Sequence, residues 1–401
     1  MSSDEFFDAA ATIARALVDQ AVWDRGRCNW IGAVVEPEDP SRPEYRPLGP
    51  RVYDGTAGVA LFLSHVAAVT GEELLRRTAI GALRHAVERA PTLLPRERDG
   101  LHAGTLGIAW AVTHAARLLA ADELVPGARA VLEQLAPPAD PPRCPDLMTG
   151  AAGAVAALLA LARALDEPRL VGVAAGVGEA LLETATVTRR GRSWGDPGRR
   201  SPHHLCGVAH GAAGIGGALL ELFAAGGEER FRAGATAAFD YERSWLDRAS
   251  GSWPDLRLPA RRGSGRAAMT ATWCHGEAGI ALGRLRAIAL LGEGPWSGDA
   301  EIAVAATRRH LTAALPYAID DLSLCHGAGG AAVALLSAGD REAAATLGGV
   351  ALDRYGERGD WPCGVYGTTP GLFRGLSGIG WLFLCLHDPS IPLPLTLPAG
   401  A

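Results

Sequence analysis

The chain lacks lysine altogether: its 38 basic side chains are all arginine, a bias typical of a GC-rich genome, and 44 acidic side chains outnumber them. The net charge is −6 and no nucleic-acid-binding motif is present, which excludes an RNA- or DNA-binding role. No apolar run reaches the roughly 20 residues of a membrane-spanning helix. The acidic segment from Met1 to Glu5 has no apolar signal region, which argues against secretion. We therefore expect a cytoplasmic globular protein without a membrane span.

The cysteines do not form a disulfide pattern. There are seven of them at irregular spacing, and an odd number in a cytoplasmic chain favours metal binding or catalysis over disulfides. Cys274 and Cys325 stand out because each is followed by His-Gly. The other five are expected to be buried core residues, the common role of an isolated cysteine. They are Cys28, Cys144, Cys206, Cys363 and Cys385.

A Gly-x-x-Gly motif followed by a small, apolar stretch occurs seven times, at intervals of about 50 residues. A period of this size marks a repeat architecture. Each apolar stretch is hydrophobic on all sides and predicts a buried helix. The leading glycines are Gly55, Gly104, Gly150, Gly211, Gly276, Gly327 and Gly375.

Amphipathic stretches between these motifs, such as residues 72–90 and 301–315, predict an outer layer of helices. Seven inner and seven outer helices indicate an all-α fold, a closed α/α toroid. An open solenoid is the alternative, but it requires polar capping repeats and the seventh repeat is apolar. We expect one domain over residues 1–401, with a repeat core at about 50–385. Residues 189–202 and 257–266 are predicted to be long loops within it.

The two residues before each leading glycine are expected to lie in loops at one rim of the ring. Reactive side chains concentrate there in repeats four to six, and Asp146 adds a carboxylate from repeat three. In chain order the pairs are Tyr53-Asp54, His102-Ala103, Met148-Thr149, Ala209-His210, Cys274-His275, Cys325-His326 and Phe373-Arg374.

Two cysteines and one histidine are a ligand set of catalytic zinc, which keeps a fourth position open. Cys274 and Cys325 are the predicted cysteine ligands because they occupy equivalent repeat positions. His275 and His326 cannot both be ligands if a position is to stay open, and the motif alone does not choose between them. Three other histidines are interpreted as polar loop residues: His102, His203 and His204.

A zinc ion with two thiolate ligands suits the binding of a third, nucleophilic thiolate better than it suits hydrolysis. His210 and Asp146 could then move protons, one accepting the thiol proton and the other supplying a proton to a developing carbanion. The simpler alternative is that both are polar rim residues bonded to a loop.

Four segments resemble motifs of the lanthionine synthetase cyclase (LanC-like) family, and the resemblance extends over roughly residues 50–385. The segments are Asp146-Leu147-Met148-Thr149-Gly150-Ala151-Ala152-Gly153, Gly207-Val208-Ala209-His210-Gly211, Trp273-Cys274-His275-Gly276 and Leu324-Cys325-His326-Gly327.

The resemblance implies an α/α toroid that binds Zn²⁺ through two cysteines and the histidine after the second. By position, these ligands are Cys274, Cys325 and His326, which leaves His275 as a substrate-pocket residue. The catalytic histidine and aspartate of the family correspond to His210 and Asp146. The chain departs from the stand-alone bacterial pattern at His275, where tyrosine is usual, and Thr270 stands where some members have arginine.

The implied reaction is a Michael addition of a peptide cysteine thiolate to dehydroalanine or dehydrobutyrine, forming a lanthionine or methyllanthionine ring. The expected partners are a dehydrated precursor peptide and a separate dehydratase or kinase/lyase enzyme.

Three alternatives remain. The first is intermolecular addition of a glutathione-like thiol, for which Arg374 in the pocket and the Arg261-Arg262 pair could bind an anionic substrate. The second is a non-catalytic, zinc-containing scaffold that binds a modified peptide. The third, a carbohydrate-active ring, needs a pair of rim carboxylates, for which only Asp54 and Asp146 qualify, and it leaves both Cys-His-Gly loops without a role.

Overall fold

The computed structural model describes residues 2–34, 44–94, 99–133, 144–195, 203–257, 269–317, 319–395 and 397. Over these residues the chain forms fourteen α-helices and three short hairpins. The helices are α1 (Ser3–Asp19), α2 (Thr56–Thr70), α3 (Glu73–Arg89), α4 (Thr105–Leu119), α5 (Val125–Glu133), α6 (Ala151–Ala164), α7 (Arg169–Thr184), α8 (Ala212–Gly226), α9 (Glu229–Arg243), α10 (Glu277–Leu291), α11 (Pro295–Ala314), α12 (Ala328–Ser337), α13 (Arg341–Tyr355) and α14 (Leu376–His387).

The even-numbered helices form a closed inner ring. Each packs against the next, and α14 packs against α2, so the ring has no free end. These helices are largely buried; in α2, every residue from Thr56 to Ala67 is buried. The odd-numbered helices pack outside and bury one face only. The predicted α/α toroid is therefore confirmed, and the open solenoid is wrong.

The outer partner of α14 comes from the other end of the chain. We expected an outer helix after each inner one, but the described residues after His387 form turns and coil. Instead α1 packs along α14. The rings of Phe6 and Phe383 lie 6.1 Å apart, and the Ser3 hydroxyl donates to the carbonyl of His387 at 2.9 Å. The first helix of the chain thus completes the seventh helix pair.

The second glycine of each motif lies in very close contact with the backbone of its rim loop. A Cβ atom at any of these seven positions would lie 1.7–2.2 Å from the carbonyl oxygen of the residue three before the leading glycine. At Gly279, for example, that oxygen belongs to Trp273, at 2.0 Å. No side chain fits there, because real Cβ atoms do not approach so closely. The glycine pairs therefore press each rim loop against the start of its inner helix.

Three two-stranded antiparallel hairpins complete the described structure. They are β1 (Val22–Asp24) with β2 (Arg27–Asn29), β3 (Ile31–Val34) with β4 (Glu44–Pro47), and β5 (Thr186–Thr188) with β6 (Gly191–Ser193).

Two sequence-based boundaries change. The loop expected at 189–202 begins within the β5–β6 hairpin, and its residues 196–202 lie outside the described part, as do residues 258–266 of the other loop. The helix expected at 301–315 begins earlier, at Pro295, because proline is accommodated in a first helical turn. No described helix is long and apolar enough to cross a membrane.

Candidate active site

Seven equivalent backbone positions, which we call the rim belt, encircle one end of the ring. In six of the seven neighbouring pairs, the N–H of one residue donates to the carbonyl of the next at 2.9–3.3 Å. The pair without such a bond is Cys274 and Cys325. The belt residues are Tyr53, His102, Met148, Ala209, Cys274, Cys325 and Phe373.

The gap in the rim belt contains the three side chains suited to a metal. One ligand atom each from Cys274, Cys325 and His326 lie within 4.8 Å of one another, and both cysteines are buried. Tetrahedral zinc with ordinary bond lengths would place a sulfur and a nitrogen ligand about 3.6 Å apart. The Cys325 Sγ and His326 Nε2 atoms are 3.7 Å apart. The donor set and its spacing therefore fit zinc, with His326 in the group and His275 outside it.

Cys274 differs electrostatically from the other buried cysteines, whereas burial and the neighbouring Cys274 raise the pKa of Cys325. A hydrogen bond from the Cys325 thiol, reinforced by His326, lowers the pKa of Cys274 to about 3, despite burial. Burial raises the pKa of Cys28 and Cys363 to about 12. Cys206 and Cys385 are likewise buried, with raised pKa values. Cys144, the fifth predicted core cysteine, is only half-buried.

His210 and Asp146 are paired beside the gap. The Nδ1 atom of His210 is hydrogen-bonded to Oδ2 of Asp146. The other carboxylate oxygen accepts from the backbone N–H and the hydroxyl of Thr149, at 2.7 and 3.1 Å. Burial raises the pKa of Asp146, but the His210 and Thr149 hydrogen bonds outweigh it and the pKa is lowered. An ionised Asp146 fixes the proton of His210 on Nδ1 and leaves Nε2 free.

His275 stacks on His210, with ring centroids 5.4 Å apart and planes inclined by 25°. Burial lowers the pKa of His275 to about 4, so the ring is neutral near pH 7. The positive charge of Arg257 contributes to that shift, and Arg257 is itself bound by Asp255. No motif singles out Arg257 or Asp255, so neither could be predicted from the sequence.

Arg374 is connected to the Cys274–Cys325–His326 cluster through Tyr53. Its Nε donates to the Tyr53 hydroxyl at 2.9 Å, and its guanidinium carbon lies 4.9 Å from the centre of the Tyr53 ring. The Tyr53 hydroxyl in turn interacts electrostatically with Cys325. Burial raises the pKa of Tyr53, and the nearby sulfur adds to the shift. The predicted Arg261-Arg262 pair lies outside the described residues.

His102 lies in a rim loop, as predicted, but its side chain is not in a polar environment. Its side chain is buried between the rings of Trp273 and Phe373, at centroid distances of 5.7 and 4.7 Å. Burial lowers its pKa to about 3. His204 is half-buried and bonded to Ser193 at 2.9 Å, and His203 is exposed against Trp245.

A buried ion pair holds the loop that carries His210. The Gly207 N–H donates to Glu242 Oε1 at 2.7 Å, and Arg284 binds Oε2 of the same carboxylate at 2.9 Å. Gly207 has a φ of +93°, and a Cβ there would lie 2.7 Å from the carbonyl oxygen of Cys274. The His210 and Cys274 loops are thus in direct backbone contact. Neither Glu242 nor Arg284 belongs to a recognisable motif, and sequence reasoning missed both.

Comparisons with known proteins agree with this architecture. Nisin cyclase has a similar structure, with a TM-score of 0.61 and 17% identity over 86% of this chain and 90% of that one. A sugar epimerase from a ruminal bacterium gives a TM-score of 0.50 and 13% identity over 98% of this chain and 100% of that one. At these identities the likenesses show the fold. No curated protein sequence matches the chain significantly. The sequence model described as "Lanthionine synthetase C-like protein" matches residues 46–397, and the chain belongs to that family.

Proposed function

We propose that the protein is a zinc-dependent thioether-forming cyclase. It adds the cysteine thiolate of a peptide to a dehydroalanine or dehydrobutyrine of the same peptide, giving lanthionine or methyllanthionine. The observation that carries the proposal is the cluster of Cys274, Cys325 and His326 beside the His210–Asp146 pair. Family membership and the structural likeness to nisin cyclase support it.

Zinc held by Cys274, Cys325 and His326 would supply a site where a substrate thiol loses its proton and remains nucleophilic. The chemistry of the donor set supports this assignment over hydrolysis, for which histidine and carboxylate ligands predominate. Tyr53, which interacts with Cys325 and is held by Arg374, would help to position that sulfur.

His210 would carry the proton. Its side chain is 24% exposed whereas that of Asp146 is 5% exposed, and both oxygens of Asp146 are already bonded. His210 Nε2 would accept the proton of the substrate thiol. As the sulfur bonds to the β-carbon, the π electrons move toward the α-carbon and its carbonyl, and the proton returns to the α-carbon. Asp146 would hold the imidazole in the required tautomer.

A dehydrated peptide with one cysteine and one dehydroalanine, incubated with zinc-loaded protein and excess glutathione, tests the proposal. Cyclisation leaves the peptide mass unchanged and removes the alkylatable thiol. A gain equal to the mass of glutathione would instead favour intermolecular thiol addition, and an unaltered peptide would favour the scaffold.

The catalytic assignment needs matched variants in the same assay. His210→Ala should abolish enzyme-dependent cyclisation, whereas His203→Ala, which removes an exposed histidine, should not. A reaction without protein measures spontaneous addition. If His210→Ala and Asp146→Asn both form product at the wild-type rate, the proton-transfer assignment is wrong.

A further inference from the structure

Glu242 is a fully buried residue of the outer helix α9 whose carboxyl group reaches the rim loop that carries His210. We propose that Glu242 is a positioning residue for proton transfer: it fixes the distance between the His210 imidazole and the metal-ligand loop of Cys274. The inference rests on the proposed function and adds to it the residue that sets the geometry of the proton-transfer step.

Glu242 is bonded at the point where two rim loops touch. Its Oε1 accepts from the N–H of Gly207 at 2.7 Å. Gly207 has a φ of +93°, and a Cβ there would lie 2.7 Å both from the carbonyl oxygen of Cys274 and from the Cα of His275. Gly207 is therefore the contact residue between the loop of His210 and the loop of Cys274. A displacement of Gly207 changes the separation of these loops.

The segment from Gly207 to His210 is short enough to pass such a displacement on to the imidazole. Ala209, the residue before His210, donates its N–H to the carbonyl of Cys274 at 3.1 Å. The His210 ring itself stacks on His275, with centroids 5.4 Å apart. Backbone and side chain of this segment thus both rest on the Cys274 loop, and Glu242 holds the segment from the outer ring.

Glu242 can hold the loop firmly because it is fixed in turn by Arg284 of α10. Arg284 binds Oε2 of Glu242 at 2.9 Å, and its Nε donates to Asp299 of α11 at 3.3 Å. The side chains of Glu242 and Arg284 are both 0% exposed. Burial raises the pKa of Glu242, and Arg284 and the Gly207 N–H oppose that rise. Because α10 begins just after the Cys274 loop, this network ties Gly207 to the helix that follows the metal ligand.

Proton transfer depends steeply on such geometry. His210 Nε2 must come within hydrogen-bond distance of the substrate thiol beside Cys274, and a misplacement of about 1 Å can cost about 10²-fold in rate. Binding of a flexible peptide does not require the same precision. Loss of the Glu242 hydrogen bond should therefore lower kcat and leave KM nearly unchanged.

The test uses two double variants that differ only in the acceptor for the Gly207 N–H. The Gln variant, Glu242→Gln with Arg284→Met, keeps an oxygen there, whereas the Met variant, Glu242→Met with Arg284→Met, has an apolar group of similar length. Both lack the ion pair, and removing its two charges together avoids leaving one buried alone. The control is Glu221→Gln with Arg286→Met, which removes the ion pair between α8 and α10.

The Met variant should lower kcat about 10²-fold, whereas the Gln variant and the control should stay close to the wild type. Zinc content and the thiolate-to-cobalt absorption of the Co²⁺-substituted protein should be unchanged in all three. In histidine-labelled protein, the ring-proton shifts of His210, assigned with His210→Ala, should change in the Met variant only, because they depend on stacking against His275. Added to His210→Ala, the Met variant should cause little further loss, since a positioning residue acts through its partner.

Four outcomes overturn the inference and leave the proposed function standing. They are wild-type kcat in the Met variant, an equal loss in the Gln and Met variants, a loss accompanied by lost metal, and a Met variant that does not fold although the Gln variant does. The last would mean that the hydrogen bond serves stability rather than positioning. A wild type that forms no thioether overturns the proposed function and the inference with it.

Discussion

We expect zinc to join Cys274 and Cys325, the one neighbouring pair of the rim belt without a backbone hydrogen bond. Removing zinc should therefore reduce protection from hydrogen exchange in the loops of that pair only. Backbone hydrogen bonds join six neighbouring pairs, whereas Cys274 and Cys325 have none between them. A metal bound by both sulfurs would connect these two loops covalently. We therefore expect chelation to affect repeats five and six and to leave the rest of the belt intact.

The expected magnitude follows from ligand linkage. Free zinc at about 1,000 times its Kd stabilises the folded state by roughly 4 kcal/mol. For 401 residues, an unfolding entropy of about 2.1 cal/mol/K per residue amounts to about 0.8 kcal/mol/K. The ratio predicts a rise in Tm of about 5 °C. A single backbone hydrogen bond, at about 1 kcal/mol net, would give only about 1 °C.

Calorimetry of the chelated and zinc-loaded protein measures the Tm shift, and hydrogen exchange locates it. Peptides covering residues 270–276 and 322–327 should gain protection with zinc. Peptides covering residues 100–104 and 146–149, where backbone bonds already close the belt, should not. Cys325→Ala should show neither the Tm shift nor the added protection.

Two results would refute this reasoning. Added protection from hydrogen exchange spread evenly around the belt would mean that zinc acts on the whole ring rather than at the gap between Cys274 and Cys325. A Tm that does not respond to stoichiometric zinc, with Cys325→Ala behaving like the wild type, would mean that these ligands do not bind it.

Three further predictions concern individual groups. His210→Ala and Asp146→Asn should each lower kcat by about 10²–10⁴-fold at unchanged zinc content, measured by product mass and metal analysis; loss of zinc in either would contradict the assignment. Burial lowers the pKa of His102 to about 3 in the folded protein, whereas an unfolded histidine has a pKa of about 6.5. The unfolded state therefore binds a proton that the folded state does not, and the free energy of unfolding falls as the pH drops below about 6.5. His102→Leu should remove about 2 kcal/mol of the difference in unfolding free energy between pH 7 and pH 5, as read from urea titrations; an unchanged difference would refute it. Glu242→Ala should cost up to about 3–5 kcal/mol in the same titrations because it leaves Asp299, at 3.3 Å, as the remaining carboxylate partner of the buried Arg284, and adding Arg284→Met should recover part of the loss.

The ring and the rim were predictable because they follow from local sterics that recur in the sequence. A second glycine is required wherever a rim carbonyl approaches an inner helix, as at Gly279, so the repeat can be read from the sequence. The repeat phase then placed Cys274 and Cys325 at equivalent positions. It also placed Asp146 and His210 on one rim, although they are 64 residues apart.

The site residues that could not be predicted are defined by contacts that no motif in the sequence indicates. Arg257 looked like part of an arginine-rich loop, and no motif marks its ion pair with Asp255, two residues before it. Glu242 lies on an outer helix of ordinary composition, and its contact with Gly207 crosses from one layer to the other. The burial of His102 depends on Trp273 and Phe373, which come from two other repeats.

The pairing of α1 with α14 has a consequence for how the chain is made. Ser3 and His387, which contact each other, are separated by 384 residues. During synthesis α1 is made well before α14, which packs against it at Phe6 and is the last of the fourteen helices to be made. A nascent chain therefore holds this part of α1 without its partner until α14 leaves the ribosome. Contacts of such long range form slowly, and this interval is when the protein is most exposed to aggregation and most dependent on chaperones.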